Sequence, residues 1–268
     1  MKLDILDLEK NKIGEIDLPS QFYEEFRPDL IRRAVLAIQS HRRQSYGASP
    51  AAGKRASAKL SRRRRDYKTS YGFGISRVPR KILSRRGARM NWVGAFAPGT
   101  VGGRKAHPPK PWKNWHKKMN EKENTKALRS AIAATMLKEV VVGRGHITPN
   151  GFPFALQDKF ESLDKTKTVL ASLERLGFRN ELWRTEGKSI RAGKGKARGR
   201  KYKEKRGMLI VVSKEENLGK AAANLPGIDV AEVKKLNAEI LAPGGNPGRL
   251  TLWTAAALNI LEKEKLFR

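Results

Sequence analysis

GMLIVVS, residues 207–213, is a compact apolar run of strand length, and it is the element from which the rest of the fold can be placed. Ser213 and Glu216 after it have the spacing of a capping box, so a helix is expected to follow. Further on, RLTLW (249–253) and then TAAALNILEKEK (254–265) predict a last strand and helix. Upstream, Val169, Leu170, Leu173 and Leu176 predict a helix over 166–176, with Gly177 as its C-terminal stop. Asn124 or Thr125 can cap another helix, with Leu128, Ile132, Met136 and Val140 on one side. Pro28 stands at a first helical position, followed by Ile31, Ala34, Val35 and Ile38 at helical spacing. Residues 2–8 read as an opening strand, with Leu3, Ile5, Ile13 and Ile16 on a buried face. Strands alternating with helices predict an α/β fold: a largely parallel sheet flanked by helices.

The charge does not follow this pattern. The formal net charge is +31 over 268 residues, and most of it sits in two places. Residues 42–118 carry 22 Lys or Arg against the single acid Asp66, and residues 188–206 carry 10 against Glu204. The remaining 172 residues are close to neutral. The longer basic stretch has only 9 Leu, Ile, Val or Phe in 77 positions and 15 Gly or Pro, too little apolar surface to fold alone against so much like charge. The expected organisation is a globular domain of residues 1–41 and 119–268, with one long extended basic loop inserted at 42–118 and a second, shorter basic loop. A polyanion is the natural partner for such charge, and nucleic acid is its commonest form. There is no lipidation signal, long apolar run or secretory leader to suggest a membrane, and no cysteine for disulfides or thiolate metal sites. A cytoplasmic protein is the expectation.

Enzymatic readings do not find their residues. Gly94 and Gly99 have the Walker spacing, but Thr100 and Val101 follow where Lys and Ser or Thr are needed. Gly193, Gly195 and Gly199 are one residue too long for the dinucleotide fingerprint. His41, His107, His116 and His146 show no ligand spacing, and a two-metal nuclease needs clustered carboxylates that the basic stretch lacks. No catalytic residue, metal, cofactor or small-molecule substrate is expected.

Nucleic-acid binding fits the same residues. Arg62, Arg63, Arg64 and Arg65 form a run suited to phosphates. Tyr67, Tyr71, Phe73, Trp92, Phe96, Trp112 and Trp115 punctuate the cations and can stack on unpaired bases or pack on the body. RRGARMNWVGAFAPGTVGGRK (85–105) combines apolar bulk, glycines and arginines with no carboxylate, which suits a chain threaded through folded RNA.

Several stretches in order, ISRVPR (75–80), GAFAPGTVGGRKAHPP (94–109), PWKNWHKKMN (111–120), SAIAAT (130–135), GRGH (143–146), IRAGKGKARGRKYKEKRG (190–207) and LNAEILAPGGNPGRLTLW (236–253), resemble the family of the universal large-subunit ribosomal protein four in its archaeal and eukaryotic form. The resemblance implies an α/β domain on the outside of the large subunit and a long loop reaching inward through ribosomal RNA to the nascent-peptide exit tunnel. Its implied partners are large-subunit rRNA, neighbouring ribosomal proteins and the nascent peptide.

Carried over, the rRNA contacts are Arg42, Arg43, Lys54, Arg55 and the Arg62–Arg65 run, with Arg104, Lys105, Trp112 and Lys113 on the return. RAGKGKARGRK adds Arg191, Lys194, Lys196, Arg198, Arg200 and Lys201. The tunnel-lining residues implied are Phe73, Arg77, Val78, Pro79, Arg80, Arg85, Arg86, Arg89 and Met90. YGFG at 71–74 departs from the Trp-Gly start of the family's tip, and the chain lacks the long tail of eukaryotic members, so an archaeal source is expected. The alternatives are an RNA-processing enzyme or a free RNA chaperone using the basic arm to capture RNA.

Overall fold

The computed structural model describes residues 2–55, 58–66, 69–87, 89–214 and 217–267. The chain divides into two compact units, residues 1–42 with 116–268, and residues 43–115. In chain order the first unit, the body, begins with β1 (Lys2–Leu6), β2 (Lys12–Asp17) and α1 (Pro28–His41). The second unit contributes β3 (Arg80–Arg86) and β4 (Arg89–Gly94). The body resumes with α2 (Glu121–Ala134), α3 (Lys138–Gly143), β5 (Ala155–Leu156), α4 (Thr166–Arg175) and α5 (Arg179–Glu186). A small ribbon of β6 (Ser189–Ile190) and β7 (Tyr202–Lys203) precedes β8 (Leu209–Val212), α6 (Asn217–Ala222), β9 (Asp229–Glu232), α7 (Ala238–Leu241), β10 (Thr251–Thr254) and α8 (Ala255–Lys263).

Six strands form one sheet in the order β2-β1-β5-β10-β8-β9. Every pairing is parallel except β1 with β2, so the fold is α/β with a largely parallel sheet flanked by helices. The apolar run at 207–213 shows why. Successive strand residues face opposite ways, so Leu209 and Val211 join one core while Ile210 and Val212 join another. In β10, Trp253 goes to the first and Leu252 to the second; in β5, Ala155 and Leu156 divide likewise. Helices α1, α2, α7 and α8 cover the first face through residues such as Ile31, Val35, Ile132, Leu241 and Leu258. Helices α4 and α6 cover the second through Val169, Leu173 and Leu218. Burial on both faces favours apolar residues at successive positions, and β8, all four of whose residues are buried, reads as an unbroken run. Trp253 is the largest fully buried side chain; it meets Phe22 edge-on at 5.1 Å between centroids, and its Nε1 donates to Thr135 Oγ1 at 3.3 Å.

The helices expected at Pro28 and at 166–176 are present, and Gly177 ends the latter at φ +99°. Several expectations differ. Helix α2 starts at Glu121, with Glu121 and Glu123 in the first turn where the helix dipole favours acids. It stops at Thr135, whose hydroxyl bonds Ile132 O and the Trp253 indole, so Val140 belongs to a separate helix, α3. Ile13 is 54% exposed, because positions 13 and 16 of one strand differ by an odd number and cannot share a face; Ile16 has the inward place opposite Leu3. Glu216 lies outside the described residues. Ser213, the other half of the expected capping box, gives its amide to Glu161 Oε1 at 2.9 Å and its hydroxyl to Glu161 Oε2.

Glu161 also accepts from Thr254 Oγ1, and Thr254 caps α8 by accepting from Ala257 N at 3.2 Å. Asp158 Oδ1 accepts from Ala256 N at 2.6 Å. These carboxylates fill the carboxyl ends of β8 and β10 and the start of α8, the places where α/β folds hold anionic cofactors. Thr254→Ala is expected to lower stability by about 1–2 kcal/mol through loss of the cap. A denaturant midpoint indistinguishable from wild type would contradict that role.

Candidate nucleic-acid interface

The body clips the two ends of the inserted segment together. Ser40 Oγ, at the end of α1, accepts from Lys117 N at 2.9 Å; His41 Nε2 lies 3.3 Å from Lys117 O, and the rings of His41 and His116 are 5.0 Å apart. Arg42 pairs with Glu239 at 2.8 Å. Arg42, called as an RNA contact, is thus held by a carboxylate of the body.

Within the arm itself, residues 43–115, the root is built by aromatic stacking. Tyr46 and Trp115 stack at 5.7 Å with 13° between planes, and the Arg43 guanidinium lies 3.8 Å from the Trp115 ring centroid. Ala48 N donates to Pro109 O at 3.0 Å. At Gly47 a Cβ would stand 2.2 Å from Pro111 Cδ, so only glycine lets these two chain segments approach. Farther along, Ser61 Oγ donates to Asp66 Oδ2 at 2.8 Å and Thr69 Oγ1 donates to Arg63 O at 2.7 Å. The arm's lone acid is therefore part of the turn that presents Arg62, Arg63, Arg64 and Arg65, all exposed. Lys54, Arg55, Lys105 and Lys113 are exposed as well, and Arg104 is half-buried.

Strands β3 and β4 form an antiparallel hairpin with Ile82 opposite Trp92 and Arg85 opposite Met90, turning at Gly87 (φ +58°). Arg80 lies over Trp92 at 5.3 Å and donates to Ser76 Oγ and Val78 O. Arg77 lies over Tyr71 at 4.6 Å. Two of the aromatics that could stack on bases or pack on the body thus carry arginines of their own chain. Arg86, Arg89 and Phe73 are exposed, while Val78, Pro79 and Met90 are half-buried. Tyr67 lies outside the described residues. Among the described residues of the arm only Thr69, Ser70, Ala95 and Ala97 are buried. The described residues of the arm therefore have backbone hydrogen bonds and cation–π contacts but no hydrophobic core.

The second basic loop is a short antiparallel ribbon. Between β6 and β7, Gly193–Arg198 forms a 3-10 turn. Arg191 is its inner strut: its Nε donates to Arg200 O at 3.1 Å and its Nη2 to Tyr202 O at 3.2 Å. That guanidinium is occupied by the loop's own carbonyls, while Lys194, Lys196, Arg198, Arg200 and Lys201 are exposed.

The loop's C-terminal root is tied to a buried ionic cluster that the sequence reading did not find. Glu181, on α5, is fully buried; its Oε1 lies 2.7 Å from His146 Nδ1 and its Oε2 accepts from Ile147 N at 3.0 Å. Arg184 donates to both carboxylate oxygens, at 2.6 and 2.7 Å, and to Arg206 O at 2.9 Å. Burial pushes the Glu181 carboxyl up, but the hydrogen bonds from Arg184, His146 and the Ile147 amide outweigh it and hold the group below the usual carboxylate range. An ionised carboxylate only accepts, so Nδ1 of His146 carries a proton. Arg144 and His146 of the GRGH stretch are both structural, since Arg144 donates to Asn246 O and Pro243 O and His146 bonds Glu181. Burial, with repulsion from Arg249 and Arg184, pushes the Arg144 guanidinium down to about 10, so it stays charged at neutral pH. Arg249, 1% exposed, bonds Gly207 O, Ile240 O and Asp229. The only sequence signal for these anchors was an Arg or His beside glycines, which does not distinguish a strut from a ligand.

Among the described residues no group of three His, Asp or Glu could hold a metal, and no helix is long and apolar enough to cross a membrane. An α/β body with two exposed loops of cations almost without acids has the layout expected of the class of proteins that meet a polyanion. The comparison with known proteins narrows this. The chain belongs to the Ribosomal protein L4/L1 family, whose pattern matches residues 16–264. It is 50% identical over 268 residues, covering 100% of both chains, to the large ribosomal subunit protein uL4 of Nanoarchaeum equitans. It is 46% identical over 265 residues to that of Archaeoglobus fulgidus, covering 97% of this chain and 98% of the relative. The Halobacterium salinarum protein of the same name is 44% identical over 261 residues, covering 96% and 98%.

Proposed function

We propose that this chain is a structural constituent of the large ribosomal subunit that binds and stabilises large-subunit rRNA in the cytoplasm. The observation that carries this is full-length similarity to archaeal large-subunit proteins, together with cations concentrated on an arm whose described residues have no hydrophobic core. The relatives' names are those of a subunit component, which favours a structural role over a catalytic one. In this reading residues 42–118 are an extended rRNA-binding loop, whose phosphate contacts replace the missing carboxylates and whose crevice contacts replace the missing core. Neighbouring ribosomal proteins and the nascent peptide are the further partners. The hairpin from Arg80 to Gly94, with the preceding Phe73 to Pro79, would line the exit tunnel, where arginines lying over Tyr71 and Trp92 make a cationic wall.

The test is incorporation. Tagged protein expressed in an archaeal host is expected to co-sediment with large subunits at unit stoichiometry after a moderate salt wash. Deleting residues 72–92 is expected to leave the body folded and still incorporated, because the arm's root and the second basic loop remain, while density at the tunnel constriction disappears. Release from subunits by the wash would refute the structural role; unchanged tunnel density in the deletion would refute the tunnel assignment alone.

A further inference from the structure

The arm's root holds a cleft of ≈ 650 Å³ lined by Tyr46, Lys105, His107, Lys110, Trp112 and Lys113, with Pro108 and Pro109 forming one wall. Its frame is fixed. The bond from Ala48 N to Pro109 O, the turn from Lys113 N to Lys110 O at 3.1 Å, and the close approach of Gly47 to Pro111 hold the two chain segments together. The two tryptophans beside it differ sharply. Trp115 is occupied by Tyr46, Arg43 and Lys113, which makes it part of the scaffold. Trp112 is 64% exposed, and Lys110 Nζ lies 5.6 Å from its ring centroid.

An indole face left to solvent, beside three lysines and a histidine and with no carboxylate in the lining, has a definite complement. A purely apolar ligand would leave Lys110 and Lys113 with ring contacts alone and would offer Lys105 no anion. A duplex would offer phosphates but no free base face, because its bases are stacked on one another. One unpaired nucleotide supplies both a π-face for the indole and phosphates for the lysines, and the volume lies in the range of small-ligand sites. We propose that this cleft takes a single unpaired RNA nucleotide, its base stacked on Trp112 and its flanking phosphates on Lys105, Lys110 and Lys113. The inference rests on the reading of the arm as RNA-binding and adds where an extruded base is held.

The experiment uses the full chain with a short unstructured oligouridine, a duplex of equal length and a polyglutamate peptide, with affinities taken across a salt series. Trp112→Ala is expected to weaken oligouridine binding about tenfold without changing its salt slope, and to leave duplex binding unchanged. Trp112→Phe, which keeps a stacking face, is expected to restore most of the loss. Replacing Lys105, Lys110 and Lys113 together by Gln is expected to lower the slope by about two. A 5-iodouridine version of the RNA is expected to cross-link to Trp112, Tyr46 or His107. If the wild-type chain binds RNA with a steep salt dependence but Trp112→Ala leaves oligouridine affinity within twofold, or the cross-links fall elsewhere, the cleft assignment is wrong while the RNA reading stands. Failure of the wild-type chain to bind RNA at all overturns both. Polyglutamate binding that depends equally on Trp112 would make this a peptide site and overturn the nucleotide assignment.

Discussion

Replacing Glu181 by alanine is expected to destabilise the body by about 3–5 kcal/mol, the range for removing one member of a buried ionic cluster. The size follows from what is left behind. The buried His146 Nδ1 and the Ile147 amide lose their acceptor, and the half-buried Arg184 guanidinium keeps only Arg206 O. A buried group left unpaired carries its desolvation cost, which falls most heavily on His146. Glu181→Gln keeps one acceptor for the amide and is expected to lose less. Urea unfolding of the full chain at moderate salt measures this, and a loss below about 1 kcal/mol would show that the cluster does not hold α5 to the GRGH loop. The pH dependence has a fixed sign. Since the folded-state pKa of Glu181 lies below its ordinary value, the carboxylate's contribution is complete above the unfolded-state value and is lost as pH falls toward the folded one. The acid limb of the wild-type stability curve should therefore be steeper than that of Glu181→Ala. Arg184 also holds Arg206 O, so the alanine variant should show faster amide exchange in the second basic loop.

Neutralising Arg62, Arg63, Arg64 and Arg65 together to glutamine is expected to flatten the salt dependence of RNA binding and to weaken it about a hundredfold near physiological salt. If about ten arm cations rest on phosphates, affinity falls by about seven decades per decade of salt, at roughly 0.7 per contact on single strands. Removing four contacts takes about three from that slope. The variant should fold normally, because all four side chains are exposed and the turn beneath them is held by Ser61, Asp66 and Thr69. RNA affinity of the wild-type chain that does not change with salt would remove the electrostatic account of the arm.

The contrast between the basic segments and the buried cations separates what a charge pattern reveals from what it does not. Arg62 to Arg65 are visible in the sequence because four like charges beside the single acid Asp66 cannot all be paired and buried. Arg191, by contrast, has the same sequence character as its neighbours in RAGKGKARGRK and yet braces the loop from inside. Arg42 looks like the first residue of the arm and is paired with Glu239, a residue 197 positions away. Charge type and spacing indicate that a segment meets a polyanion; they do not say which cations are consumed in shaping it.

The same division runs through the fold. The chain's local chemistry was enough for α1, α4 and the β10–α8 junction, because Pro28, Gly177 and Thr254 act on backbone groups within a turn of themselves. It was also enough for β8, because an unbroken apolar run of strand length is what burial on both faces favours. The two-residue β5, the outward turn of Ile13, the break before α3 and the pairing of Glu181 with His146 were decided only in three dimensions. Each depends on partners far away in sequence: β1 and β10 flank β5, Trp253 pins Thr135, and a carboxylate 35 residues on satisfies an imidazole. Periodicity and capping are local, short-range effects and are written in the sequence. Strand pairing and the neutralisation of buried charge require groups that only the folded chain brings within bonding distance.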